Sequence, residues 1–458
     1  MVSHPAVSDL GDVAPAALPR RFRWFTRAWA VAAGFHLTLT DVRHWDWLVP
    51  NVLLGAAALA LFIRPMAPRT RFGAATWGAA TWSAGLVGLL WPLLFLGDQL
   101  TQSVHLAGMA LATILFATGS DDRTHARAIR WQTLAVYGVA AFHKLNQDFL
   151  DGTVSCATGG VRLLGENWSV PLAGSALDAH WPAVFLATEL SLVILFRARP
   201  RWAIPLALTM HVPLTIVFAP AFAWVMVAGY PAFFTDADLS ALAERLRAKR
   251  GWVLGVGLTL AAGDMALYFQ DHWIPYPAWQ LGEIGVWLLA VGAWVGLGPG
   301  SRVRARGWDE PGQRRSLLIV GVFLLSATTP YLGLQFHHTA AMLSNLRIDS
   351  GCWNHLLVPE AVRLRDPYVR IDRAEPAAGA RGRETLVELL EERLWSPADL
   401  RKTLDEGCDH GAAPLRLTGS YRGHPLHLAD ACAEQLPEGA AGLFQSNLLR
   451  ECPQRCIH

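Results

Sequence analysis

Four groups of ionisable side chains stand inside or at the ends of long apolar runs, where a charge needs a partner or a task. His143-Lys144 comes near the end of Arg130–Cys156 (R-W-Q-T-L-A-V-Y-G-V-A-A-F-H-K-L-N-Q-D-F-L-D-G-T-V-S-C), a stretch with no charged side chain from Leu134 to Phe142. His105 lies in Q-S-V-H-L-A-G-M, and Glu189 and His211 fall on consecutive apolar runs. The fourth group is Gln335-Phe-His337-His338-Thr-Ala-Ala-Met342-Leu-Ser344-Asn345-Leu-Arg347. A lysine at the edge of hydrocarbon has two options. It can snorkel its ammonium to the headgroups, or it can turn inward, where desolvation favours the neutral amine. Such an amine can take a proton from a phenolic or hydroquinone hydroxyl, provided that no close carboxylate stabilises the ammonium. Asp148 and Asp151 lie one to two turns beyond the membrane edge and need not pair with it. A neighbouring histidine then stabilises developing negative charge or relays the proton. Each group also has a plain structural reading. His105 and His211 can be hydrogen-bonded core histidines, Glu189 can pair with a basic residue, and His338 and Asn345 can cap or bridge helices. No serine or cysteine sits in a nucleophile elbow. His337-His338 has no carboxylate-bearing spacing to complete a metal site, so no metal is expected.

The elements that must position these groups follow from composition. The chain has 458 residues, 52% apolar and 17% charged, with 20 Trp, 19 Phe and 7 Tyr. Soluble domains carry about 25% charge. The expected fold is therefore an all-α polytopic membrane protein, a bundle of about 9–11 transmembrane or re-entrant helices with a small extracytoplasmic C-terminal region. The runs are Phe25–Thr40, Trp47–Ile63, Gly73–Leu96, Gln102–Ala117, Trp131–Lys144, Trp181–Phe196, Trp202–Phe218, Phe222–Phe234, Trp252–Phe269, Leu281–Val295 and Leu317–Leu332. The seventh and eighth can be two short segments, one of them re-entrant, or one helix broken at Pro220. Two segments place every basic cluster, near 20–23, 64–71, 123–130, 197–201, 245–250 and 302–315, on the cytoplasmic side. The basic residues thus report topology, so the net charge of +2 says little about nucleic acid; the partner expected is membrane lipid, with no nucleic acid. Residues 1–20 read as a flexible cytoplasmic N-terminus without a cleavable signal pattern, residues 21–360 as the membrane domain and 361–458 as the C-terminal domain. No marker of oligomeric state is present.

In that topology Cys156, Cys352, Cys408, Cys432, Cys452 and Cys456 all lie outside, in an oxidising compartment. Up to three disulfides are possible. Cys156–Cys352, Cys408–Cys432 and Cys452–Cys456 are the plausible pairs, with free cysteines the alternative, and no spacing makes a zinc site. The tail contains two helix-like pieces, near Glu384–Leu394 and Pro397–Leu404.

The run Tyr137-Gly-Val-Ala-Ala-Phe-His-Lys144-Leu-Asn-Gln-Asp-Phe-Leu-Asp-Gly152 resembles a helix end of the vitamin K-dependent gamma-carboxylases and their bacterial relatives with the horizontally transferred transmembrane (HTTM) domain. His211-Val-Pro-Leu-Thr-Ile-Val-Phe218, continuing through Phe222 to Phe233, is similar to the histidine-led helix and re-entrant turn of that family. Gln99–Gly108 is similar to a third family helix with its histidine displaced, and Gln335–Arg347 matches a late histidine-bearing segment in outline. The resemblance spans roughly residues 20–360. It implies a bacterial inner-membrane enzyme in which Lys144 deprotonates a reduced quinone (vitamin K hydroquinone or menaquinol). O2 and CO2 would be co-substrates, and epoxidation of the quinone would be coupled to carboxylation of Glu in a peptide or protein. It assigns His211 and His338 to charge stabilisation and places Tyr137, His143, His105, Phe218, Met342 and Asn345 around the quinone. The tail of about ninety residues is far shorter than the lumenal part of the eukaryotic carboxylase, so propeptide recognition of that type should be absent or different. Two other readings stay open. One is a quinone-dependent membrane oxidoreductase without carboxylase activity, and the other is a non-enzymatic transporter or assembly protein. The sequence offers no repeat of spans in favour of a transporter.

Overall fold

Helix α5 (Arg123–His143) is the element around which the others pack. Its N-terminal half, through Ala126, Ala128 and Ile129, joins a core with α1 (Arg20–Leu37), α2 (Trp45–Ile63), α3 (Ala74–Phe95) and α4 (Thr101–Phe116). Phe25, Trp29, Leu54, Trp82, Leu106 and Met109 fill that core. Its C-terminal half, through Leu134, Val136, Tyr137 and Val139, faces α8 (Trp181–Ala198), α9 (Pro200–Val217), α10 (Phe222–Gly229) and α12 (Leu317–Thr328). A 3₁₀ turn, Tyr230–Phe233, leads into α11 (Asp236–Ala248), which starts with a Thr235/Asp238 capping box. The Asp236 carboxylate also accepts the backbone N–H groups of Arg20 (2.9 Å) and Arg21 (2.6 Å), satisfying donors that a helix start leaves open. Beyond α5 the chain forms a single turn, α6 (Gln147–Leu150), and then α7 (Cys156–Trp168).

The computed structural model describes residues 18–40, 45–68, 74–98, 100–117, 122–168, 176–217, 222–252, 314–376 except 342, 384–408, most of 414–456, and scattered positions between 254 and 295. Most of each of the expected runs Trp252–Phe269 and Leu281–Val295 lies outside the described residues, as do most of the first twenty residues and much of the basic cluster at 302–315.

The expectation of an all-α bundle with nine to eleven membrane elements is corrected in two respects. Among the described residues, three helical stretches are long and apolar enough to cross a membrane: Trp45–Ile63, Trp77–Phe95 and Trp181–Ala198. The chain is a membrane protein, and these helices turn Leu59, Ile63, Leu94, Phe95 and Ile194 outward. Five of the other runs fall short for physical reasons. Helix α4 has 16 residues, about 24 Å of rise against a hydrocarbon core of about 30 Å. Helix α12 has 12 residues and α10 has 8. Helices α1 and α5 are longer, but both carry arginines, among them Arg21, Arg23 and Arg27 on α1 and Arg123, Arg127 and Arg130 on α5.

The second correction is the tail, which is a mixed α/β unit. Strands β1 (Val369–Pro376), β2 (Leu394–Trp395), β3 (Leu415–Tyr421) and β4 (His424–Leu428) form an antiparallel sheet in the order β2-β1-β3-β4. Alternation in β1 turns Val369 and Ile371 inward. There they meet Leu415 and Leu417 of β3 and Leu390, Leu400 and Leu404 of the helices Glu384–Glu392 and Pro397–Cys408. Tyr421 pairs with His424 across the two-residue turn Arg422-Gly423, both at positive φ (52° and 78°), as the tight hairpins of twisted strands require.

The disulfides join Cys156 to Cys456, Cys352 to Cys452 and Cys408 to Cys432. The last pair is as expected. The proposed Cys156–Cys352 and Cys452–Cys456 links are replaced by two staples from the chain's end. One fastens it to the first turn of α7, and the other to the segment beyond α12.

Candidate functional site

Lys144 is the C-cap of α5, where the helix ends and the chain turns toward α6. Its side chain points inward, and the residue is 5% exposed. Nζ donates to Glu189 Oε1 at 2.8 Å, and both side chains are buried. Glu189 is eight residues into α8, about 12 Å along an 18-residue candidate span and so near its middle. The snorkelling option is not the one taken. The condition attached to the neutral-amine option is not met either, because a carboxylate does reach the amine. It comes from a distant helix and not from Asp148 or Asp151.

Tyr137 lies seven residues before Lys144, on the same side of α5. Its hydroxyl is 3.1 Å from His211 Nε2 and 3.1 Å from the Tyr230 hydroxyl. The Lys144 charge bears on His211 and the Glu189 charge on Tyr137, so these five residues form one polar cluster inside the apolar core. Phe196 stacks on Tyr137, with ring centroids 5.8 Å apart, and closes the cluster from α8. The Phe222 ring stands between His211 (5.8 Å) and His105 (5.9 Å), and Phe323 lies 5.3 Å from His105. His338 is the electrostatic neighbour of His105. Its ring donates to the carbonyl oxygens of Asp98 and Leu100; burial pushes the imidazole below its ordinary value, opposed by the Asp98 charge and these bonds. Asp98 is itself held by the Ser103 hydroxyl and the Leu100 N–H.

Several of these groups have open hydrogen-bonding positions. Among the described residues, Glu189 Oε2, His211 Nδ1, both ring nitrogens of His105 and His338 Nδ1 are buried without a partner. Native interiors leave few such atoms, and each costs about 1–3 kcal/mol. Five such atoms among the described residues are gathered around the rings of Phe222 and Phe323 and the Tyr137–His211 pair.

Other expected site residues have structural duties. His143 Nε2 donates to the Thr339 carbonyl at 3.1 Å, so Nδ1 accepts from the Tyr331 hydroxyl at 2.7 Å. Both ring nitrogens are used, and the histidine clamps the 331–339 segment to the end of α5. Asn345 accepts the Cys156 N–H (2.7 Å) and donates to the Val154 carbonyl (3.1 Å), tying its segment to the start of α7. Phe218 and Met342 lie outside the described residues. Sequence reasoning gave no role to Tyr230, and it set Glu189 beside His211 and not Lys144. The available signal was a lone carboxylate in the middle of an apolar run. Among the described residues no three His, Cys, Asp or Glu side chains gather as a metal site.

Comparison of the chain with protein-family models, with curated proteins and with solved structures finds no match.

Proposed function

We propose that this is a membrane enzyme of the vitamin K-dependent gamma-carboxylase-like (HTTM) kind. It acts on a reduced quinone, vitamin K hydroquinone or menaquinol, with O2 and CO2 as co-substrates, and couples epoxidation to carboxylation of glutamate in a peptide or protein. The observation that carries this reading is the buried Lys144–Glu189 pair beside the Tyr137–His211 hydrogen bond, in an aromatic surrounding with unfilled polar positions. A quinol head group fits that donor set, having hydroxyls to donate, oxygens to accept and flat apolar faces. Glu189, His211 and His105 would hold the oxygens, and Phe222 and Phe323 would exclude water. When bound, the reduced quinone supplies the reducing equivalents for oxygen and the strong base that the glutamate γ-carbon needs. The chain's own residues contribute a proton-holding pair, the lysine and glutamate, and two fixed rings, Tyr137 and His211, that limit how a head group can lie.

The proposed location is a bacterial inner membrane, with the disulfide-bonded loop and tail on its outer side. Three disulfides support an oxidising compartment for that side. The test is detergent-purified protein supplied with reduced menaquinone or vitamin K, O2, labelled bicarbonate and a Glu-containing peptide. Label in the peptide together with quinone epoxide supports the proposal. Epoxide without label reduces it to an oxidoreductase, and neither product rejects it.

A further inference from the structure

We propose that Glu189, and not Lys144, receives the proton of the phenolic substrate, while Lys144 is the fixed positive charge facing the oxygen left behind. This rests on the reading of the site as a quinol site, and it reverses the role that the lysine motif suggests. Lys144 Nζ and Glu189 Oε1 form a buried salt bridge at 2.8 Å, so the substrate meets an ammonium, which has three donors and no lone pair to accept a proton. The carboxylate has spent one oxygen on that contact. Its other oxygen, Oε2, is buried and without a hydrogen-bond partner among the described residues. An ionised carboxylate accepts about four hydrogen bonds and donates none, so Oε2 is an open acceptor whichever tautomer His211 adopts.

Among the described residues the remaining buried carboxylates do not compete. Asp122, Asp178 and Asp349 face Arg21, Arg162 and Arg347, and Asp98 is held by Ser103 and Leu100. Asp148 is on α6, outside the apolar cluster. The Tyr137 hydroxyl, itself a phenol, lies in the field of Glu189 and bonds to His211.

The charge balance favours the same assignment. The substrate O–H bond breaks, its proton goes to Glu189 Oε2, and the electron pair stays on the phenolic oxygen opposite the Lys144 ammonium. One positive and one negative charge are present before and after, and no oxidant is consumed. With a neutral Lys144 as base, the empty site would hold Glu189 as an uncompensated anion in an apolar interior, an expensive arrangement.

A redox-inert naphthol, bound without oxygen, tests the assignment by its absorbance and by infrared difference spectroscopy. The expected wild-type result is bound naphtholate together with the carbonyl band of a newly protonated carboxylic acid. Glu189→Gln should still bind naphthol, lose that band, and lower the ionised fraction about tenfold or more. Lys144→Arg, which keeps the charge but cannot act as a base, should lower it by less than about threefold. Naphtholate in Glu189→Gln at the wild-type fraction would overturn the assignment, as would its disappearance in Lys144→Arg with binding intact. If wild type binds no naphthol at all, the quinol-site reading itself fails, which is a separate result.

Discussion

Removing Lys144 alone should cost stability as well as activity, and the size of the loss tests the geometry of the pair. Lys144 and Glu189 have side chains 6% and 5% exposed and meet at 2.8 Å. At an effective dielectric of about 20, their gross attraction is about 6 kcal/mol. Desolvation of both groups offsets much of it, so the pair adds little net stability. A single substitution such as Lys144→Met, however, leaves Glu189 buried, charged and alone, which costs about 3–5 kcal/mol. Glu189→Leu strands the ammonium at similar cost. The double variant Lys144→Met/Glu189→Leu removes both charges and should return to within about 1 kcal/mol of wild type, or above it. The assay is reversible unfolding in mixed micelles, followed by tryptophan fluorescence, for all four proteins of the cycle. Two results would refute the reasoning: single variants that lose less than about 1 kcal/mol, or a double variant that loses the sum of the singles. The cycle also bears on the enzymology. Lys144→Ala by itself confounds lost chemistry with lost fold, whereas the double variant is the folded control.

Four further outcomes follow. Burial works against the Asp122 carboxylate, but the Arg21 hydrogen bonds (2.9 and 2.8 Å) and charge outweigh it and hold the group below its ordinary value. Its contribution is therefore present above the unfolded carboxylate value and is lost as pH falls through the folded one; Asp122→Asn should flatten that acid limb of the unfolding profile and cost about 3–5 kcal/mol at neutral pH. Non-reducing peptide mapping should recover Cys156–Cys456, Cys352–Cys452 and Cys408–Cys432, and a Cys156–Cys352 peptide would contradict the fold. Replacing Cys352 and Cys452 by serine opens a link across 100 residues and should cost about 4–5 kcal/mol on chain entropy. Finally, Tyr137→Phe removes the hydroxyl shared by His211 and Tyr230 and should cost about 1–3 kcal/mol by leaving a buried ring nitrogen unpaired; an unchanged midpoint would mean that the three groups are not bonded.

The sequence carried part of this structure openly. The apolar run before Lys144 and the arginines at its start are a helix with a buried end, and the helix starts near Glu384 and Pro397 are where composition places them. Membrane crossing was over-read because hydropathy cannot distinguish a lipid-facing helix from one buried in protein. Helices α4 and α10 are apolar because α1, α3 and α5 cover them. The strands of the tail were legible in principle, since V-R-I-D-R-A and L-R-L-T-G-S alternate with period two, but each is short and amid helical segments. The Lys144–Glu189 contact spans 45 residues, and nothing local in either segment announces the other. The disulfide partners were hidden for the same reason: two of the three close loops of 300 and 100 residues, which spacing rules favouring near neighbours do not find.

The central claim is that this buried cluster ionises a reduced quinone and uses it to drive carboxylation. Its most direct test is epoxide formation and labelled-bicarbonate incorporation, measured side by side on wild type and Lys144→Met/Glu189→Leu in the same detergent. The account predicts both products from wild type and neither from the folded double variant. Epoxide and label from the double variant at wild-type rates would contradict it.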